Sequence, residues 1–148
     1  MPFIRHLFQN TTLMAAVLSW LLAQTIKTLL TLIRTRKFDP ERLFGAGGMP
    51  SAHTAMVCSL VLCIGHFAGP ESPLFALSFC FAGVVIYDAM GIRRAAGEQA
   101  KVINRMVGIM EQEGTEITEK DLKEYLGHTP LEVLGGVMLG TLVAVALL

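Results

Sequence analysis

Charge is scarce in this sequence, and what there is cancels. Charged side chains make up 16% of the 148 residues against 53% hydrophobic, and 12 basic residues balance 12 acidic ones. A soluble domain carries about a quarter charged residues, so this composition points elsewhere. With no net positive charge there is no electrostatic basis for a nucleic-acid partner, and none is expected. Cysteine is sparse too. Cys58, Cys63 and Cys80 all fall inside apolar runs, where a thiol behaves as a small apolar side chain, so no disulfide framework is implied. Neither an internal repeat nor a low-complexity tract interrupts the chain. A cleaved secretory signal is not expected, because the first apolar run is too long for one and no small-residue cleavage pattern follows it.

What the chain does have is long apolar runs. The first extends from Leu13 to Ile33, broken by Gln24 and Lys27; the others run from Ala52 to Phe67, Leu74 to Met90 and Leu131 to Leu148. Crossing a ~30 Å hydrocarbon core as a helix takes about 20 apolar residues, and the middle two runs lie at the short end of that range. They are apolar on every side, whereas a core helix of a soluble bundle keeps a polar stripe. The expected fold is therefore all-α, a single domain over residues 1–148 forming an integral membrane bundle of about four transmembrane helices. Two more helices are expected before the last span. Ile103, Met106, Val107 and Met110 have the i, i+3, i+4, i+7 spacing of an amphipathic helix that continues past the membrane or lies along it. Thr118-x-x-Asp121 resembles a capping box and Gly127 a helix stop, giving a short surface helix over Glu119 to Leu126.

Four crossings put the segments 34–51 and 91–130 on one face. Of the 12 Lys and Arg residues, Arg5 falls on the opposite face, Lys27 lies within the first span and ten are on this face. By the positive-inside rule it is expected to be cytoplasmic. Polar residues near the span ends collect there as well: Lys27, Arg34, His53, Asp88, Arg93, Arg94, His128 and Glu132. His6 and His66 belong to the other face.

Lys27 and Arg34 are seven residues apart, two helical turns, so they share a helix face with a rise of about 10 Å between them. A cation inside a span faces a polar cavity or snorkels to the interface. In Pro50-Ser51-Ala52-His53, Ser51 can cap a helix whose unpaired N–H groups attract an anion, with His53 beside it in the first turn; the simpler reading is a capped helix with an interfacial histidine. His128 and Glu132 have the spacing that stacks imidazole and carboxylate, leaving Nε2 as a nucleophile once Nδ1–H is held. A competing register exists. Thr129-Pro130-Leu131-Glu132 is also a capping box with proline at the first helical position, which places His128 just outside the helix. Asp88 could pair with Arg93 or Arg94, Gly136 and Gly140 form a G-x-x-x-G packing face, and Gln24, Ser59 and Ser78 are expected to be satisfied within the bundle.

Taken in order, these motifs resemble the type 2 phosphatidic acid phosphatase family, and specifically its small divergent branch; the superfamily also includes vanadium haloperoxidases. It is marked by K-x6-R-P, P-S-G-H and S-R-x5-H-x3-D. Lys27 and Arg34 reproduce the first spacing, Pro50-Ser51-Ala52-His53 resembles the second, and His128 with Glu132 resembles the end of the third. The resemblance implies metal-independent hydrolysis of a phosphomonoester or diphosphate, with no cofactor. It implies that His128 attacks phosphorus, Glu132 orients it and His53 protonates the leaving oxygen, while Lys27, Arg34, Ser51 and backbone N–H groups hold the phosphate. Thr35, Ala52 and Glu132 depart from the family's proline, glycine and aspartate, and Asp121-Leu122 stands where S-R belongs. Arg93 or Arg94, before Lys123, would substitute for that arginine. The family usually has six spans, so a homodimer partner could complete the pocket.

The expected activity is a membrane phosphatase acting on a lipid phosphate, of phosphatidic acid or polyprenyl (di)phosphate type. The alternative is a non-catalytic lipid-phosphate binding or transport protein on the same scaffold. A third reading, a metal-dependent phosphotransferase using Asp88 and Glu98, has only one aspartate near the end of the third span to rest on.

Overall fold

The computed structural model describes residues 2–36, 48–112 and 128–148, and among them there are six α-helices and no strand. They are α1 (Pro2–Gln9), α2 (Thr11–Thr35), α3 (Ala52–Ala68), α4 (Pro73–Met90), α5 (Ile92–Gln112) and α6 (Pro130–Leu147). The bundle is all-α, as expected. The short helix expected over Glu119 to Leu126, with its Thr118-x-x-Asp121 capping box, its Gly127 stop and Lys123, lies outside the described residues.

Small polar residues start the long helices. Asn10, Ser51, Ser72 and Thr129 are extended and each accepts a hydrogen bond from an amide three residues on, at Leu13, Thr54, Phe75 and Glu132. Proline follows at the first helical position of α4 and α6, where its missing N–H has no intrahelical partner to lose. α2 ends where Arg36 turns left-handed (φ 54°) and its N–H closes on the Leu32 carbonyl.

Among the described residues three helical stretches, α2, the continuous α4–α5 stretch and α6, are long and apolar enough to cross a membrane; α3 is as apolar but 17 residues long, about 25 Å. The packing is inside out by the standards of a soluble protein. Fully buried positions hold small side chains, with Thr54, Cys63, Ser19, Ser51 and Ser59 the largest, while Phe79, Phe81, Val84, Leu142 and Val145 face outward. Such sorting is expected where lipid solvates large apolar groups and helices associate through close backbone approach. α3 lies at the centre, against α2, α6 and α4. A Cβ on Gly136 would come within 2.5 Å of the Ser51 carbonyl oxygen, and one on Gly140 would strike the carbonyl oxygen of Ala55. The G-x-x-x-G is thus the face on which α6 meets α3.

Three local findings differ from the sequence reading or extend it. α1 was not anticipated; Phe3, Ile4, Leu7 and Phe8 share one of its faces, all exposed. The amphipathic segment begins earlier than its apolar spacing indicates. The Gly91 amide donates to the Tyr87 carbonyl and the Ala95 amide to that of Gly91, so helical bonding passes from α4 into α5. Ser59 and Ser78 donate to the carbonyls of Met56 and Phe75 as expected, but among the described residues Gln24 Oε1 and Ser19 Oγ are buried without a hydrogen-bond partner. The expectation that Gln24 is satisfied within the bundle is thus corrected at its amide oxygen, among the described residues.

Candidate phosphate site

Two backbone hydrogen bonds draw three helix ends together, and a side-chain contact brings in α2. The Ser51 amide donates to the Glu132 carbonyl at 2.9 Å, joining the start of α3 to the start of α6, and the His128 amide donates to the Ala89 carbonyl at 2.9 Å, joining α6 to the end of α4. On the α2 side, the aliphatic stem of Lys27 lies against Gly48, whose φ of +85° favours glycine; a Cβ there would sit 3.2 Å from Lys27 Cγ.

Between α2, the Gly48–Met49 turn and the start of α6 is a cavity of about 410 Å³. Lys27 and Arg34 form one wall and Thr129 and Glu132 the opposite one. Lys27 is only 3% exposed, whereas Arg34, two turns on, is exposed, so the cavity carries one deep cation and one at its rim. The shared helix face read from the sequence therefore opens on a cavity lined by both charged and apolar side chains.

Of the two registers open to His128 and Glu132 the capping one is found, and the contact between their side chains forms within it. Thr129 is the N-cap, its hydroxyl accepting from the Glu132 amide at 3.3 Å while Glu132 Oε2 accepts from the Thr129 amide at 3.1 Å. The same Oε2 lies 3.0 Å from His128 Nδ1. His128 thus stands outside the helix and still meets the carboxylate, because the capping box folds the Glu132 side chain back toward the chain preceding the helix. An acceptor at Nδ1 selects the tautomer with its proton there and makes Nε2 the unprotonated nitrogen of the neutral ring.

The remaining candidates are placed less centrally. Ser51 is fully buried and its Oγ accepts from both the Thr54 amide and the Thr54 hydroxyl, so its visible work is capping. His53 is half-buried in the first turn of α3; neither it nor His128 lines the cavity, which reaches His128 through Glu132. Arg93 and Arg94 lie in the first turn of α5, but their side chains are outside the described residues, and with them any pairing to Asp88. Glu98 is exposed and pairs with Lys101 at 3.4 Å. Sequence reading missed Leu30, Thr31, Met49, Thr129 and Leu131 as cavity residues. Leu30 and Thr31 carry a readable signal: they lie between Lys27 and Arg34 on the same helix face.

The profile of the Divergent PAP2 family matches residues 8–143, which takes in both walls of the cavity and the His128–Glu132 pair. The chain belongs to the Divergent PAP2 family. A relative in Bacillus subtilis (strain 168), described as the uncharacterized membrane protein YuiD, is 38% identical over 96% of each chain. No solved structure matches the chain. The relative's description agrees with a protein of the membrane.

Proposed function

We propose that the chain is a multi-pass membrane phosphatase that hydrolyses a lipid phosphomonoester or diphosphate through a phosphohistidine at His128. In this reading α2, α3, α4 and α6 all cross the bilayer and the site-bearing face is cytoplasmic, consistent with its share of Lys and Arg. The observation that carries the reading is the 3.0 Å contact between His128 Nδ1 and a Glu132 carboxylate that also walls a cavity holding two cations.

The reaction divides into two displacements. His128 Nε2 forms a bond to phosphorus as the bond to the lipid oxygen breaks, and His53 gives that oxygen a proton. Water then attacks phosphorus, the P–N bond breaks, and His53 takes up the water's proton as phosphate leaves. Glu132 stabilises the imidazole as it becomes positive, while Lys27 and Arg34 hold the equatorial oxygens in both steps. Arg93 or Arg94 would supply the clamp that the family places before the histidine.

One observation favours a second reading, a protein that binds or transports lipid phosphate without turnover: the His128 side chain is 2% exposed and does not line the cavity. Phosphate release by the purified protein in chelator, with and without vanadate, separates the two. The phosphatase reading expects vanadate-sensitive release that falls at least about 10³-fold in His128→Ala. Full activity in that variant rules out the phosphohistidine; lipid binding without turnover in wild type favours the second reading.

A further inference from the structure

The cavity wall combines charged side chains with apolar ones, and each of α2 and α6 contributes both kinds. Leu30 and Leu131 both line it, from α2 and α6, and both stand at the outer surface, 48% and 63% exposed. Around them Leu29, Ile33 and Leu134 are exposed as well, so the gap between the two leucines lies within a broad apolar surface.

Depth along α2 gives this gap its meaning. The helix has 25 residues, about 37 Å, and exceeds a ~30 Å hydrocarbon core by some two residues at each end. Arg34, one residue from its C-terminus, then sits at headgroup level, Leu30 about 6 Å deeper and Lys27 about 10 Å deeper. The buried cation is thus reached past a leucine at acyl-chain depth, while the exposed one is at the water boundary.

We infer that the space between Leu30 and Leu131 is a lateral portal through which an amphiphile enters from the bilayer, its anionic head on Lys27 and Arg34 and its alkyl chain passing out between the two leucines. Leu30 and Leu131 are then specificity-determining residues that select a phosphate attached to a chain over a free phosphate. This rests on the phosphate-holding role given above to Lys27 and Arg34, but does not require turnover.

Binding of two phosphonates to the full-length protein in a neutral detergent tests it, since the pair shares a headgroup and differs in chain: dodecylphosphonate and methylphosphonate. Wild type is expected to bind the dodecyl probe at least tenfold more tightly. Leu30→Trp and Leu131→Trp, which narrow the portal, each reduce that ratio about tenfold, while Leu29→Trp, outside the cavity wall, leaves it at the wild-type value. Equal affinity for the two probes in wild type, no binding of either, a ratio unmoved in both portal variants, or the same fall in Leu29→Trp would each overturn the portal. Phosphate release from dodecyl phosphate, followed in parallel, separates the claims. A chain preference that depends on Leu30 and Leu131 without any release leaves the portal standing and removes the phosphatase.

Discussion

Glu132 joins two structural tasks in one oxygen. Its Oε2 closes the capping box on the Thr129 amide and lies 3.0 Å from His128 Nδ1. Glu132→Gln keeps an acceptor for the cap and loses the negative charge beside the imidazole. Its melting temperature should stay near wild type while kcat falls about 10²-fold or more. Glu132→Ala removes the cap as well, so it should lose about 1 kcal/mol of stability in addition, read by denaturation in detergent. Equal activity in wild type and Glu132→Gln would sever Glu132 from the chemistry. At Lys27 the stem and the charge can be separated too. Lys27→Met retains the packing against Gly48 and removes the ammonium, so kcat/KM for a lipid phosphate should drop about 10²–10³-fold with no loss of stability. A fall in stability with unchanged kcat/KM would reduce Lys27 to a structural role.

At the scale of the helices, glycines on different faces respond oppositely to an added methyl group. Ala is the better helix former by about 0.5–1 kcal/mol, and a Cβ on Gly83 meets nothing within 4 Å, so Gly83→Ala should be neutral or mildly stabilising. Gly140→Ala meets the Ala55 carbonyl and should destabilise by about 1–3 kcal/mol, as an overpacked contact does. Similar values for the two would mean that α6 does not approach α3 this closely. The helices were legible because apolar runs and capping residues are local signals: the run from Ala52 and the Ser51 cap mark the start of α3. Lys27 and Arg34 were legible as a pair because their spacing depends on one helix alone. Gln24 was not, since its partners depend on which neighbouring faces meet it, and Leu131 as a portal residue needs the approach of α6 to α2. The His128 contact was not legible from either register alone. Pattern offers the two as alternatives; the structure takes the capping register, and the fold of the Glu132 side chain restores the contact that the other one predicted.

For the molecule as a whole, orientation and chemistry are separate questions. With Cys58, Cys63 and Cys80 replaced, a single thiol introduced as Arg36→Cys, at an exposed position just past α2, should react with an impermeant maleimide only from the cytoplasmic side. Labelling from outside the cell would invert the bundle and place the site on the opposite face. Either orientation is compatible with the lateral portal, because the portal depends on depth in the bilayer and not on which leaflet it faces. Whether four helix ends meet around a phosphate is decided most directly by an experimental structure of the purified protein with vanadate. The account expects vanadium bonded to His128 Nε2, with Glu132 still on Nδ1, Lys27 and Arg34 on the vanadate oxygens, and His53 at the oxygen opposite His128. Vanadate seated on Lys27 and Arg34 while His128 Nε2 stays turned away from it would contradict the phosphohistidine and leave a lipid-phosphate binding protein in its place.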